Sequence, residues 1–165
     1  DYWAITYPWE GISPHDLAEE ILDDIIELSR QKSRVMDGVI DSLEILKDNN
    51  YKIGLASSSP TRMIEALITH FNIKDYFDVV VSADVVDHGK PHPAVFLNAA
   101  NQLGSSPLSC LVLEDSVNGM LAAKSARMKV IMVPDKAHYD KPEFVLADKK
   151  LKSLNEFSLD LIKQL

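Results

Sequence analysis

Cysteine is almost absent from this chain. Cys110 is the only one in 165 residues, so no internal disulfide can form and a reducing, cytoplasmic setting is expected. Long apolar runs are missing too. None approaches the ~20 residues a membrane-spanning helix needs, so no membrane partner is expected. Positive charge is scarce: Lys and Arg number 17 against 25 Asp and Glu, a formal net charge of −8. That balance argues against general binding to nucleic acid or anionic lipid, although it leaves room for a local basic pocket. There is no internal repeat and no low-complexity tract. The opening "DYWAITYPWEG" has neither the basic nor the apolar region of a signal peptide, so none is expected there, and it reads like the middle of something longer. What is present, 46% apolar and 25% charged residues, is the composition of a folded globular domain.

Helical punctuation begins at Ser13-Pro14, a capping hydroxyl followed by proline at the first helical position. Leu17, Ile21, Ile25 and Leu28 then recur at helical spacing, flanked by Leu22 and Ile26. Polar "QKSR", Gln31 to Arg34, breaks the pattern and is expected to be a linker. A second helix carries Val39, Leu43 and Leu46 on one face and ends at "KDNN". From there the chain alternates. The apolar runs "KIGLA", "DVVVSA", "SCLVLED" and "KVIMV" are separated by the helical patterns "PTRMIEALITHF", "PAVFLNAANQLG" and "SVNGMLAAKSARM". A last helix is predicted over "SLNEFSLDLIKQL". Short apolar strands alternating with longer helices predict βαβ units, hence an α/β fold with a Rossmann-like parallel sheet buried on both faces. The segment before Arg34 is helical only and falls outside that sheet.

Ligands of open parallel α/β sheets bind beyond the carboxyl ends of the strands. Those ends carry Ser57-Ser58-Ser59, then Asp84 with the loop "GKPHP" (Gly89 to Pro93), then Glu114-Asp115-Ser116, then Pro134-Asp135. Each has a plain structural explanation. Ser59 before Pro60 is a helix cap, but one cap does not account for three serines. Lys90 is an ordinary loop lysine, except that Pro91 and Pro93 stiffen its loop. Glu114 and Asp115 suit the start of a helix, yet two acids ending the most apolar strand also suit a divalent cation with hard oxygen ligands. Together, hydroxyls and amides, a fixed ammonium and a carboxylate-held metal are what a phosphoryl group requires. His15, His70, His88, His92 and His138 show no metal-ligand spacing and are read as surface or supporting residues, and Trp3 and Trp9 as packing.

The stretches "IGLASSSP", "GKPHPAVFLNAANQLG" and "CLVLEDSVNGMLAAKSARM" resemble, in order and spacing, motifs two, three and four of the haloacid dehalogenase (HAD) superfamily. The fourth is the most specific, and the match runs from about Met36 onward. The preceding segment resembles the end of that family's α-helical cap. The implied division is 1–33, the C-terminal part of a cap, and 34–165, an α/β core lacking its first strand. Within the family the resemblance is to sugar-phosphate phosphatases acting on hexitol phosphates and 2-deoxyglucose 6-phosphate. The related β-phosphoglucomutases carry a lysine where this chain has Pro60.

The resemblance implies a Mg²⁺-dependent phosphatase of small phosphorylated metabolites, with roles for the matched positions. Ser57 would hydrogen-bond the transferring phosphoryl group, with the Ser58 amide beside it, and Lys90 would pair with nucleophile and phosphate. Asp115 would hold Mg²⁺, with Glu114 supporting it directly or through water. Asn118 joins the substrate-binding set in a supporting role, together with Gly119. One part of the family pattern is absent. Family members begin with a strand ending in Asp-x-Asp, nucleophile and general acid/base, and no two aspartates here are separated by one residue. These residues alone are therefore expected to lack turnover, and to self-associate through the open sheet. Other readings stand beside this one: a non-catalytic remnant that binds phosphate or a protein partner, a β-phosphoglucomutase-like mutase, and a receiver-like module. The last is disfavoured because receiver acids end the first strand and these end the third.

Overall fold

The computed structural model describes Thr6 and residues 10–165; Trp3 and Trp9 lie outside the described residues. Helix α1 spans Pro14–Lys32, and the Ser13 hydroxyl accepts from the Asp16 amide at 3.1 Å. It runs two residues into the expected linker, ending at Ser33, whose amide donates to the Ser29 carbonyl. Its apolar stripe is turned outward. Ile26 is buried, whereas Ile21, Ile25 and Leu28 are exposed. Arg62 forms ion pairs with this helix, to Glu19 at 3.2 Å and Asp23 at 2.9 Å.

After α2 (Val39–Asp48) the chain alternates as the apolar pattern dictates: β1 (Gly54–Ser57), α3 (Thr61–His70), β2 (Val79–Ser82), α4 (Ala94–Gln102), β3 (Leu111–Glu114), α5 (Val117–Ser125) and β4 (Lys129–Met132). Two features depart from the sequence pattern. A short β5 (Lys149–Lys150) pairs with Ile131 and Met132. The expected last helix is broken: the Ser153 hydroxyl accepts from the Asn155 amide, a single turn covers Leu154–Glu156, and α6 is only Leu159–Lys163. Gly38, at the start of α2, has φ +85°, and a Cβ there would overlap the Leu154–Asn155 backbone. Only glycine suits both constraints.

All strand pairs are parallel, but the described strands form two separate sheets, β1-β2 and β3-β4-β5, with no ladder between β1 and β3. Burial on both faces shows in β4. Val130 and Met132 join a core with Val81, Val95, Met120, Ala123 and Phe144, and Ile131 and Val133 join a second with Leu151 and Phe157. The exception is Leu113 of β3. It is 36% exposed although Val112 beside it and Ile131 across from it are buried. That exposure follows from the unpaired edge. The entry to each sheet is held by a carboxylate: Asp78 accepts from the Ile53 amide, and Asp148 from the Val130 amide, each at 2.8 Å.

Candidate active site

Three strand ends converge. At β1 the serines divide their work. The Ser57 hydroxyl accepts from the Ser59 amide at 3.1 Å and closes a local turn, and the Ser59 carbonyl accepts from the Ser82 hydroxyl at 2.7 Å. Ser59 does not cap α3. Asp84, reaching across from the end of β2, accepts from the Thr61 amide at 2.7 Å and from its hydroxyl at 3.2 Å. The Thr61 amide is the chief reason the Asp84 carboxyl lies below its ordinary range. The cap is supplied from 23 positions away in the chain. Ser58, between Ser57 and Ser59, is exposed and lines the site.

Lys90 is no solvated loop lysine. Its side chain is 11% exposed; it forms an ion pair with Glu114, donates to the Ala56 carbonyl at 3.3 Å and lies 4.6 Å from the Phe96 ring centroid. Its peptide bond to Pro91 is cis. Glu114 is engaged at both oxygens. One meets Lys90, and the other accepts from the Asp115 amide, the Ser116 amide and the Ser116 hydroxyl at 3.0–3.2 Å. Ser116 also accepts from the Gly119 amide at 2.9 Å as the cap of α5. At Gly119 a Cβ would overlap the Glu114 carboxylate, so the glycine is what lets this acid sit against the helix.

These groups open onto a cavity of about 600 Å³. Ser58, Lys90, Asp115, Ser116 and Asn118 line it, and the segment after β4 adds Asp135, His138, Lys141, Glu143 and Phe144. Of the residues expected from sequence, Ser58, Lys90, Asp115 and Asn118 share this cavity. Glu114 reaches it through Lys90, and the Ser57 hydroxyl oxygen accepts within the turn while its O–H keeps its donor capacity. The sequence places Asp135 at a strand end and His138 among the surface or supporting residues, and His138 is indeed exposed. In the structure the two are joined at 2.7 Å on the cavity wall. The signal was there as an acid closing a strand with histidine three residues on.

Among the described residues no three His, Cys, Asp or Glu side chains converge as a metal cage. Mg²⁺ does not need one, since it keeps several waters and takes one or two protein carboxylates beside substrate phosphate. The Asp115 carboxylate, which has no hydrogen bond or ion pair among the described residues, fits that role. Glu114, already holding a lysine and three donors, fits a supporting one.

A family model described as haloacid dehalogenase-like hydrolase matches residues 2–127. The chain belongs to this family. Hexitol phosphatase B of Escherichia coli (strain K12) is 42% identical over 158 residues, which cover 96% of this chain and 71% of that protein. Fructose-1-phosphate phosphatase YqaB of the same organism is 32% identical over 126 residues, 74% of this chain and 64% of that one. In three dimensions the chain is similar to β-phosphoglucomutase from Clostridium difficile. The TM-score is 0.81 at 27% identity, covering 98% of this chain and 72% of that structure. The α/β fold with parallel sheets expected from the sequence is thus the fold of this haloacid dehalogenase-like hydrolase.

Proposed function

We propose that this chain is the larger part of a cytoplasmic, Mg²⁺-dependent phosphatase of sugar or sugar-alcohol phosphates. The observation that carries the proposal is Lys90. A buried ammonium is held between the ends of β1 and β3, which do not pair with each other, on a cavity that Asp115 also lines. Lys90 is balanced by Glu114, so a cation on Asp115 would supply the positive charge an arriving phosphate needs, and the similarity to hexitol and sugar-phosphate phosphatases points to a phosphate ester.

The nucleophile is an aspartate from outside residues 1–165, on a strand between β1 and β3. Its carboxylate attacks phosphorus and expels the alkoxide, which takes a proton from the second aspartate of the Asp-x-Asp pair. Water, giving a proton back to that aspartate, then cleaves the aspartyl phosphate to inorganic phosphate and regenerates the nucleophilic carboxylate. Lys90 compensates charge at the nucleophile and phosphoryl oxygens, Glu114 fixes that lysine, and Ser58 and Asn118 line the approach. Mg²⁺, held by Asp115, would add positive charge at the phosphoryl oxygens. The segment up to residue 33 belongs to the cap, and the remainder is the core.

The test is a phosphate-release assay on the full-length protein, with hexitol phosphates, hexose phosphates and an aryl phosphate, across a Mg²⁺ titration. Asp115→Asn is expected to lower kcat about 10²-fold or more, the scale of losing one preorganised electrostatic contact, and to raise the Mg²⁺ concentration required. Its melting temperature should stay close to wild type, because the carboxylate bonds nothing else. Near-normal activity at limiting Mg²⁺ would remove Asp115 from the metal. Isomerised sugar phosphate in place of inorganic phosphate would favour a mutase.

A further inference from the structure

The segment after β4 forms a built wall that phosphoryl chemistry does not use. Asp135 accepts from the His138 amide at 3.0 Å and meets Nδ1 of the same histidine at 2.7 Å. An ionised carboxylate only accepts, so Nδ1 carries the proton and, in the neutral ring, Nε2 is left as an acceptor. The turn is pinned on both sides of this pair: before it, the Val133 amide donates to the Glu114 carbonyl at 2.7 Å. Lys150 donates to the Tyr139 carbonyl at 2.7 Å and lies 4.0 Å from the centroid of its ring, and Phe144 is buried in the main core. A surface loop held this firmly presents its polar groups at fixed positions.

We infer that this wall reads the hydroxyl groups of the substrate's carbon chain, with His138 as the specificity-determining side chain and Asp135 as its positioning residue. The inference rests on the phosphatase reading and names the part of the substrate that reading leaves open. Charge favours hydroxyls over a second anion. Asp135 and Glu143 offer carboxylate acceptors beside the Lys141 ammonium and the His138 ring, all on one cavity. The Lys141 side chain has no ion pair among the described residues, so its donors are available. A hydroxyl both donates and accepts and can use every one of these groups, whereas a second carboxylate or phosphate would meet two acids.

The test compares kcat/KM of the full-length protein for a hexitol phosphate, an aryl phosphate and a phosphorylated sugar acid of the same length. His138→Ala is expected to lower the hexitol-to-aryl ratio about tenfold, mainly through KM, and His138→Gln, which keeps a hydrogen-bonding tip, to recover part of it. Asp135→Ala should lower the same ratio and Asp135→Asn restore it in part, whereas a purely structural role would lower activity on both esters alike and leave the ratio unchanged. A wild-type protein inactive on every ester overturns the phosphatase reading and this inference with it. An active wild type whose ratio stays within twofold in His138→Ala overturns the inference alone, as does a His138-dependent preference for the sugar acid.

Discussion

Lys90 and Glu114 form a buried ion pair, with side chains 11% and 7% exposed, and the same ammonium reaches the Ala56 carbonyl of β1. One lysine thus ties the end of one sheet to the end of the other. Lys90→Ala would leave Glu114 buried without a counter-charge, for which a loss of about 3–5 kcal/mol is typical. We therefore expect Lys90→Ala to lose stability as well as activity, and Lys90→Met with Glu114→Gln to regain much of the stability and none of the activity. Denaturant unfolding and aryl-phosphate kinetics separate the two effects. A Lys90→Ala cost within about 0.5 kcal/mol, the range of an ordinary surface substitution, would contradict the buried pair.

Gly119 offers a test by sign. Replacing a helical glycine by alanine ordinarily stabilises, by about 0.5–1 kcal/mol. Here the added methyl would meet the Glu114 carboxylate. The expected result of Gly119→Ala is a loss of about 1–3 kcal/mol, the usual cost of overpacking, with impaired phosphatase activity as Glu114 and Lys90 shift. A stabilised variant with wild-type kinetics would show that Glu114 has room to move.

Asp148 predicts the acid limb of stability. Burial pushes its carboxyl up, but the hydrogen bond from Lys124 at 2.9 Å, the Val130 amide at 2.8 Å and the Lys124 charge outweigh burial and leave it below the ordinary value of 3.8. A carboxyl lowered by folding contributes its full stabilisation above the unfolded-state pKa and loses it as pH falls through the folded-state value. Asp148→Asn should therefore melt at a lower temperature than wild type near pH 7, with the gap closing below pH 4 as both become neutral at this position. A gap that stays constant from pH 7 to pH 3 would mean the charge is irrelevant.

What the sequence disclosed and what it withheld divide along the range of the interactions. Strands β1 to β4 and the α3, α4 and α5 helices follow from local apolar spacing, and so does the collection of Ser58, Lys90 and Asp115 at one rim. Local signals misled where a distant partner intervened. Ser59 looks like the cap of α3, but Asp84 does the capping. Ile21, Ile25 and Leu28 of α1 keep helical spacing yet face out, because spacing alone does not say which side of a helix meets the rest of the chain. The partner of Lys90 was invisible, since pairing with Glu114 depends on how two loops meet in space. The contact of His138 with Asp135 was not marked either, because a histidine in a polar loop carries no periodicity.

The last prediction concerns the gap between β1 and β3. Their facing edges carry no strand-to-strand pairing among the described residues, and Leu113 is 36% exposed at one of them. Unpaired apolar edges recruit further strands, and natural proteins cover or charge them. If a strand bearing the nucleophile fills the gap, residues 1–165 expressed by themselves should self-associate, with a melting temperature that depends on concentration. Adding the upstream strand should abolish that dependence and raise the melting temperature. Leu113→Lys should reduce association of the bare segment, because it places a charge on the open edge. In the complete protein the same change should destabilise strongly, because the site is then closed. Analytical ultracentrifugation and thermal melting of both lengths decide the matter. A 1–165 segment that stays monomeric and melts cooperatively at every concentration would mean that the two sheets need no strand between them, and the nucleophile would have to enter the site another way.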